Sequence, residues 1–180
     1  MKIVAIVGMA GAGKSEVSRQ FEKAGFTRIR FGDVTDEELK KRGQELNEEN
    51  ESRVRELIRE EHGMAAYAKL NLPRIEAALA NSDVVVDGLY SWEEYLFLKD
   101  HYEDNLYLVV VWASPAIRYS RLGGRRDRPL TIQESAARDR AEIENLHKGG
   151  PIAVADYLIV NESSLEDLKE EAGKVVSGLR

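Results

Sequence analysis

The stretch GMAGAGKS, residues 8–15, constrains the folding of this chain more than any other feature of its sequence. It follows the apolar run Ile3–Val7 and precedes the helix-like run EVSRQFEKAG, which ends at Gly25. The pattern G-x-x-x-x-G-K-S between a strand and a helix is typical of a loop that wraps a phosphate group. Glycines let the backbone approach closely, so that consecutive N–H groups and the helix N-terminus face the anion. The alternative is a glycine-rich turn with a chance lysine, but the flanking strand and helix favour phosphate binding.

Five short runs predict the strands of a parallel β-sheet, with helical stretches between them. Four of the runs are nearly continuous and rich in β-branched residues, as expected for strands that are covered on both faces, and the second alternates. Strand–helix alternation along the whole chain predicts a single α/β domain, a three-layer α/β/α fold around a five-stranded, doubly wound parallel sheet. The predicted strands are Ile3–Val7, Thr27–Phe31, Val84–Val86, Leu106–Trp112 and Tyr157–Val160.

Capping patterns predict where several helices begin. A serine or threonine followed three residues later by glutamate is typical of a capping box, in which each side chain accepts a hydrogen bond from the other residue's backbone N–H. Ser114 followed by Pro115 predicts one more helix start, because proline fits the first helical position. The four predicted boxes are Thr35–Glu38, Ser91–Glu94, Thr131–Glu134 and Ser163–Glu166.

The composition excludes several classes of protein. With 43% hydrophobic and 32% charged residues among 180, the chain is neither disordered nor fibrous. No apolar run approaches the roughly 18 residues of a membrane span, and the N-terminal run is too short for a signal peptide. We therefore expect a cytoplasmic protein with no membrane partner. The absence of cysteine excludes disulfides and thiolate metal sites.

An aspartate follows the third predicted strand in the segment VVVDGLYS, residues 84–91. Asp87 is therefore expected at the carboxyl edge of the sheet, near the glycine-rich loop. There its carboxylate can orient Mg²⁺, directly or through water, while Ser15 ligates the same ion. The alternative is that Asp87 only caps the next turn.

A second aspartate, Asp33, follows the second predicted strand in FGDVT, residues 31–35. A carboxylate at this edge can accept a proton from a substrate hydroxyl group. Aspartate is also common as a helix or turn cap, so the two interpretations are nearly balanced.

Residues 36–62 contain few apolar side chains and many acidic ones. We expect helix there, either as a solvated insertion or as a mobile flap that binds substrate. The flap is preferred, because thin packing is typical of elements that move. We place it at about residues 34–62, between core segments 1–33 and 63–122. Its main apolar residues are Leu39, Leu46, Val54, Leu57 and Ile58.

Arginine is concentrated in RYSRLGGRRDRPLT, residues 118–131, although the chain has a net charge of −6. Nucleic acid, nucleotide phosphate and a solvated loop are the alternatives. Nucleic-acid binding needs a broad basic face with stacking aromatic residues, and only Tyr119 is nearby, so we do not expect a nucleic-acid partner. The arginines are Arg118, Arg121, Arg125, Arg126 and Arg128.

The pair Gly123-Gly124 lies inside this run and suits a hinge. We therefore predict a short lid at about residues 123–131, after which the core resumes at 132–180. We then expect the arginine run to bind one triphosphate rather than a nucleic-acid polymer.

Together these elements resemble the P-loop nucleoside and nucleotide kinases. The loop form GxxGxGKS is common among adenylate kinases and dephospho-CoA kinases. RLGGRR, residues 121–126, resembles the lid entrance of adenylate kinases, which implies that Arg121 contacts the nucleotide and Arg125 its phosphates. ADYLIVN, residues 155–161, is similar to a dephospho-CoA kinase segment that closes the adenine pocket, which implies that Asn161 lies there.

The whole pattern also resembles a family of kinase-like proteins, most of them archaeal, over nearly the full length. The shared elements are a Walker loop, an aspartate after the second strand, DG after the third strand, IRYxR and RDR. In this chain they are Gly8–Ser15, Asp33, Asp87-Gly88, Ile117–Arg121 and Arg138–Arg140.

One position departs from this pattern. Adenylate kinases carry an arginine shortly after DG, and the archaeal family tends to have one too, whereas this chain has Tyr90. A tyrosine brings no charge to the phosphate of an acceptor. If the acceptor is a nucleoside monophosphate, a flap arginine must supply that charge. The candidates are Arg42, Arg53, Arg55 and Arg59.

The sequence thus predicts an ATP-dependent phosphotransferase that moves the γ-phosphoryl group to a nucleotide or nucleotide-like small molecule, such as a nucleoside monophosphate or a dephospho-CoA-like acceptor. ATP and Mg²⁺ are the expected cofactors, and the acceptor is expected between Asp33 and the flap. A P-loop ATPase acting as a nucleotide-dependent regulatory or binding protein is the alternative. The predicted catalytic residues are Lys14, Asp33, Arg121 and Arg125; the predicted nucleotide-binding residues are Gly8, Gly11, Ala12, Gly13, Lys14, Ser15, Arg121 and Asn161; the predicted metal ligands are Ser15 and Asp87.

Overall fold

The five predicted strands form one parallel sheet in the computed structural model, which describes residues 1–126 and 129–179. The strand order is β2-β3-β1-β4-β5, and the first strand pairs with the third on one side and with the fourth on the other. The α/β prediction with five parallel strands is confirmed. The strands are β1 (Ile3–Val7), β2 (Thr27–Arg30), β3 (Val84–Asp87), β4 (Leu106–Trp112) and β5 (Tyr157–Val160).

Helices cover both faces of the sheet, as the continuous apolar strands require. The described part of the chain has a short 3₁₀ turn at Glu103–Asn105 as well as α-helices. The α-helices are α1 (Lys14–Lys23), α2 (Asp33–Lys41), α3 (Glu48–His62), α4 (Ala66–Leu79), α5 (Trp92–Tyr102), α6 (Pro115–Gly123), α7 (Ile132–Glu144), α8 (Gly149–Ala153) and α9 (Leu165–Gly178).

Two hydrophobic cores lie on opposite faces of the sheet, because side chains alternate along each strand. In β1, Ile3, Ala5 and Val7 face the core that α2, α3, α4 and α5 complete. Val4 and Ile6 face the second core, which α1 and α9 complete. All five residues are fully buried, so β1 forms the centre of both cores and its carboxyl end is held firmly.

The predicted capping boxes are partly correct. Thr131 and Glu134 form the complete box at the start of α7, and Ser114 is the N-cap of α6 with Pro115 in its first turn. Ser91 caps α5 by accepting the backbone N–H of Glu94, but the Glu94 carboxylate accepts from the N–H of Tyr90. This second bond turns Glu94 into the protein instead of closing the box.

The other two boxes are wrong. Helix α2 begins at Asp33, so Thr35 lies inside it, where its buried hydroxyl is 2.6 Å from the Tyr67 hydroxyl. At α9 the box is one residue later than predicted, because Ser164 and Asp167 exchange the two bonds. Aspartate closes the box here, and the sequence pattern S/T-x-x-E does not include it.

The predicted flap consists of α2 and α3, joined by residues 42–47. It is helical as expected, but it packs more closely than the composition indicates. Leu39, Val54 and Ile58 are buried against the core that β1 contributes to, while Leu46 is exposed. The predicted lid lies between the end of α6 and the start of α7, and its residues Asp127 and Arg128 lie outside the described part of the chain.

A buried ion pair joins the end of β4, the glycine-rich loop and α7. The Arg118 guanidinium donates to both carboxylate oxygens of Asp139, at 2.8 and 2.6 Å. It also donates to the carbonyl oxygens of Ala113 and Ala10, at 3.0 and 3.1 Å. Arg118 belongs to the arginine run that the sequence associates with phosphate. In the structure, however, its bonds connect three segments of the protein.

No helix in residues 1–126 and 129–179 combines the length and the apolar character that crossing a membrane requires.

Substituting Asp139→Asn is expected to destabilise the fold by about 3–5 kcal/mol, because Arg118 would remain buried without a counter-ion. Urea unfolding measures this change. Arg140→Ala is the matched control on the same helix, because Arg140 forms an exposed pair with Glu144, and a loss of no more than ~0.5 kcal/mol is expected there. Equal losses for the two variants would contradict the structural role of Arg118.

Candidate active site

The loop between β1 and α1 adopts a backbone that requires glycine. Gly8, Gly11 and Gly13 have φ values of 151°, 80° and 103°. A Cβ atom at Gly11 would lie 2.8 Å from the carbonyl oxygen of Arg118, and one at Gly13 would collide with the side chain of Asn161. The loop therefore lies directly against α6 and the end of β5. Its backbone leaves no space for side chains at these positions.

Lys14 is the first residue of α1, and its side chain turns back over the loop. Its ammonium group donates to the carbonyl oxygens of Gly8 and Met9, at 2.8 and 3.0 Å. Burial of the ammonium group, and then the charge of Lys148, lowers the pKa of Lys14 to about 8. Ser15 follows at the exposed start of the helix, where its hydroxyl is accessible to a metal ion.

Asn161 and Arg121, which the resemblance assigns to the nucleotide, lie beside this loop. The Asn161 amide donates to the Ala12 carbonyl oxygen at 2.8 Å, and Arg121 donates to the Asn161 backbone and side-chain oxygens at 3.0 and 3.3 Å. The second guanidinium nitrogen, Nη1 of Arg121, is buried and has no hydrogen-bond partner among the described residues. An unpaired buried cationic nitrogen is a position where an anionic or polar ligand group would be stabilised.

Asp87 is the last residue of β3 and is nearly buried. The Arg28 guanidinium of β2 contacts it through two nitrogens, and both bonds go to the Oδ2 atom. The sequence did not identify Arg28 as a partner, because the two residues are 59 positions apart and only the pairing of β2 with β3 brings them together.

Asp33 begins α2 and is half-exposed. Its carboxylate lies 2.8 Å from the Arg30 guanidinium. Asp33 is not among the described residues that line the cavity discussed below. A role as proton acceptor requires that its bond with Arg30 opens.

A cavity of about 760 Å³ lies between α3 and α7, with Tyr90 in its wall. The volume is in the range typical of small-molecule sites. One side of the cavity comes from the predicted flap and the other from the helix that follows the predicted lid. The lining residues are Glu48, Ser52, Arg55, Glu56, Arg59, Glu60, Met64, Tyr90, Leu130, Glu134, Ala137, Arg138, Ala141, Glu142, Asn145 and Leu146.

Two of the four flap arginines line this cavity. Arg55 lies 2.7 Å from Glu48 and 3.2 Å from Glu51. Arg59 lies over the Tyr67 ring, and its Nε atom is buried with no hydrogen-bond partner among the described residues. Arg42 instead pairs with Glu38 on α2, and Arg53 is exposed. Arg55 and Arg59 are therefore the flap arginines that line the cavity.

The sequence did not single out Lys148 or Glu142, which form a buried ion pair in the same region. Lys148 Nζ donates to Glu142 Oε2 at 2.7 Å and stands 5.6 Å from the centre of the Tyr90 ring. Burial acts to raise the pKa of Glu142, but the charges of Lys148 and Lys14 outweigh it and hold that pKa at about 2. Tyr90 itself brings no charge, yet a cation lies over its ring.

Glu94 is a second buried acidic residue that the sequence assigned only to a helix cap. It is fully buried, and its Oε1 atom has no hydrogen-bond partner among the described residues. Burial raises its pKa to about 7, although the Tyr90 N–H and the Arg59 and Lys148 charges oppose this shift. A single sequence gives no signal for such a shift, because the shift depends on the packing of α5 against the sheet.

Arg125, the other predicted lid residue, lies in the exposed segment after α6. Across the described residues, no group of three or more acidic or histidine side chains is arranged to bind a metal ion by itself. A bound Mg²⁺ would therefore take much of its coordination from phosphate oxygens and water, which is the usual manner for this ion. The exposed Ser15 hydroxyl and the Oδ1 atom of Asp87 fit that arrangement.

Replacing Glu94 by glutamine is expected to change how the free energy of unfolding depends on pH. The raised pKa means that Glu94 is neutral in the folded protein up to about pH 7, whereas it ionises near 4.5 when unfolded. The free energy of unfolding of the wild type, measured against that of Glu94→Gln, is therefore highest below about pH 4.5. It falls by up to roughly 3 kcal/mol as the pH rises through 7.

Urea unfolding of both proteins at several pH values between 4 and 8 measures this difference, with Glu144→Gln on the surface of α7 as the background control. A wild-type-minus-variant difference that stays constant over this range would contradict the burial effect on Glu94.

Comparison with known proteins places the chain in a family. The AAA domain family model matches residues 4–146. The UPF0200 protein of Thermococcus kodakarensis is 40% identical over 178 residues, covering 97% of this chain and 96% of the relative. The UPF0200 protein of Pyrococcus furiosus is 38% identical over 179 residues, covering 97% and 96%.

Solved structures of kinases share the fold at low sequence identity. A shikimate kinase from Bacteroides thetaiotaomicron has a TM-score of 0.62 at 13% identity, covering 99% of this chain and 98% of that chain. A gluconokinase from Sinorhizobium meliloti has a TM-score of 0.60 at 17% identity, covering 99% and 93%. A dephospho-CoA kinase from Campylobacter jejuni has a TM-score of 0.58 at 15% identity, covering 99% and 97%. The chain therefore has the P-loop kinase fold and belongs to the UPF0200 family and to the AAA domain family.

Proposed function

We propose that this protein is a P-loop small-molecule kinase that moves the γ-phosphoryl group of ATP to a nucleotide or nucleotide-like acceptor. The observation that carries the proposal is the junction between the glycine-rich loop and the cavity. Glu142 and Arg138 line the cavity, and both act electrostatically on Lys14 at the loop. A phosphate-binding loop beside a small-molecule cavity is the arrangement that phosphoryl transfer requires.

On the donor side, the backbone N–H groups of residues 8–15 and the N-terminus of α1 surround the polyphosphate. Lys14 exchanges its bonds to the loop carbonyl oxygens for bonds to the β- and γ-phosphates, and the negative charge raises its lowered pKa, so the bound form is protonated. Arg121 and Asn161 lie beside the loop and are assigned to the nucleotide, with the free Nη1 of Arg121 as the donor.

Mg²⁺, when bound with ATP, neutralises charge on the β- and γ-phosphates. We assign Ser15 as a direct ligand and Asp87 as a group that holds the metal's water shell. The bond from Arg28 orients the Asp87 carboxylate, and it leaves Oδ1 to accept from coordinated water.

The acceptor is assigned to the cavity between α3 and α7. Its wall contains the cations Arg55, Arg59 and Arg138 together with several glutamates, so it suits an acceptor with both hydroxyl and anionic groups. This position modifies the sequence expectation, which placed the acceptor between Asp33 and the flap. The solved structures of similar fold include a gluconokinase, shikimate kinases and a dephospho-CoA kinase, and their names support a small-molecule acceptor.

Asp33 remains the proposed base if the acceptor group is a hydroxyl. It would then have to leave Arg30 and reach the acceptor when α2 moves with the flap. If the acceptor group is a phosphate, no base is needed and Asp33 positions substrate. Closure of the lid completes the site and excludes water, which would otherwise compete as acceptor.

An acceptor panel tests this function. Wild-type protein with MgATP should release ADP faster when a nucleoside monophosphate, dephospho-CoA or shikimate is added, and the phosphorylated product should appear with it. Lys14→Met should lose this stimulated rate, because the γ-phosphate loses its cation. A rate that no acceptor raises above the acceptor-free value would contradict kinase function and favour the alternative, a P-loop ATPase with a regulatory or binding role.

Arg121→Ala and Arg125→Ala are expected to lower turnover by ~10²-fold or more, because arginines at the lid and its entrance stabilise charge that develops in the transition state. Their unfolding free energies should change by less than ~1 kcal/mol, since neither residue is an apolar core residue. Coupled-assay kinetics and urea unfolding separate the two effects, with Arg140→Ala as the control for surface arginine loss. Wild-type turnover in both variants would show that the arginine run is a solvated loop without a catalytic role.

A further inference from the structure

Lys148 is a buried lysine beside the cavity, in contact with two of its lining residues. It is 1% exposed, although lysine is among the side chains that are rarely buried without a partner. Its partner is Glu142, which lines the cavity, and its ammonium group stands over the ring of Tyr90, which also lines the cavity. The pair is therefore located at the edge of the space that a substrate would fill.

The residue before Lys148 has an energetically unfavourable backbone conformation. His147 has a φ of 51°, in the left-handed region that is unfavourable for residues other than glycine. A bond of 3.0 Å between His147 and Glu93 holds this turn, as does the backbone bond from Trp92 to Leu146. The Lys148 N–H itself donates to the Glu142 carbonyl oxygen at 3.2 Å. Several contacts thus fix the position of Lys148.

Stability alone does not explain such a pair. Burying two charges costs about as much as their attraction returns, and an uncharged pair of similar size often gives equal or better stability. What the pair does provide is a second cation near Lys14, close enough for the two ammonium groups to repel each other. Glu142 lies in the field of both lysines and compensates them while no other anion is present.

We propose that Lys148 binds a phosphoryl group in the active site together with Lys14, and that Glu142 is the counter-ion that holds Lys148 until that group arrives. The proposal rests on the proposed function for the presence of the phosphate. A lysine suits this role because its ammonium is a compact charge on a flexible stem, which can turn from a carboxylate to a nearby phosphate oxygen. The phosphoryl group is either the γ-phosphate of the donor or a phosphate of the acceptor.

The double variant Lys148→Gln with Glu142→Gln tests this role. It removes both charges, leaves the net charge unchanged, and keeps two side chains that can form a hydrogen bond with each other. Its control is Arg140→Gln with Glu144→Gln, which neutralises an exposed pair on the same helix. Calorimetry measures the affinity for the β,γ-imido analogue of ATP and for ADP, and kinetics measure the KM of the best acceptor.

The double variant should unfold at nearly the wild-type urea concentration. If Lys148 binds the γ-phosphate, affinity for the imido analogue falls about 10-fold or more while ADP affinity is unchanged. If it binds an acceptor phosphate, analogue affinity is unchanged and the acceptor KM rises by a similar factor. Unchanged values in both measurements, with a stable fold, would overturn the proposal and leave Lys148 a structural residue.

Lys148→Arg keeps the charge and is expected to retain analogue affinity within ~3-fold of wild type, which a loss due to packing would not do. Should the double variant unfold too easily, Lys148→Arg and Lys148→Gln are compared at a temperature where both are folded, and equal analogue affinities together with equal acceptor KM values would overturn the proposal. Wild-type protein that binds the analogue but phosphorylates no acceptor contradicts the proposed function instead, and the analogue measurement then decides the role of Lys148.

Discussion

The bonds from Arg118 hold together the parts of this molecule that the site needs. One guanidinium bonds the Ala10 carbonyl in the glycine-rich loop, the Ala113 carbonyl after β4 and the Asp139 carboxylate in α7. Because α7 also carries Arg138 and Glu142, this one side chain fixes the distance between the phosphate loop and the far wall of the cavity. It is fully compensated and buried, so its charge is not available to a ligand. The arginine run therefore has two roles: Arg118 builds the site, and the predicted ligand contacts fall to Arg121 and Arg125.

Much of the fold follows from local sequence patterns. The strands are short apolar runs, and β1 shows why they are continuous: alternate residues face two different cores. Helix starts are less certain, since a capping pattern describes only four residues. Thr35 fits that pattern but lies inside α2, because the bond between its hydroxyl and Tyr67 belongs to the packing of α2 on α4. Tertiary contacts decide such cases, and a short pattern carries no information about them.

Some parts of the candidate site are likewise recognisable from local sequence, and others depend on tertiary contacts. The glycine-rich loop is contiguous in sequence, and its own residues determine its backbone, so it is recognisable without a structure. Arg28 and Asp87, or Asn161 and the Ala12 carbonyl, meet only because parallel strands place their ends at one edge of the sheet. The pair of Lys148 and Glu142 is local in sequence, yet burial makes it notable, and burial depends on Tyr90 and α5. Sequence reasoning finds the residues that the backbone chemistry demands and misses those that packing makes unusual.

The charges around the loop also bear on how substrate enters. Lys14 is held by loop carbonyl oxygens, Lys148 by Glu142, and Arg55 and Arg138 by Glu48, so each of these cations already has a partner before a phosphate arrives. A phosphate must displace these partners, and the released glutamates then repel it unless they move or accept bonds from the substrate. An acceptor with hydroxyl groups can donate to those carboxylates while its anionic groups take the cations. Under the proposed function, the mixed lining of the cavity favours an acceptor that carries both kinds of group over a simple anion, and the glutamates of α3 and α7 would take part in selecting it.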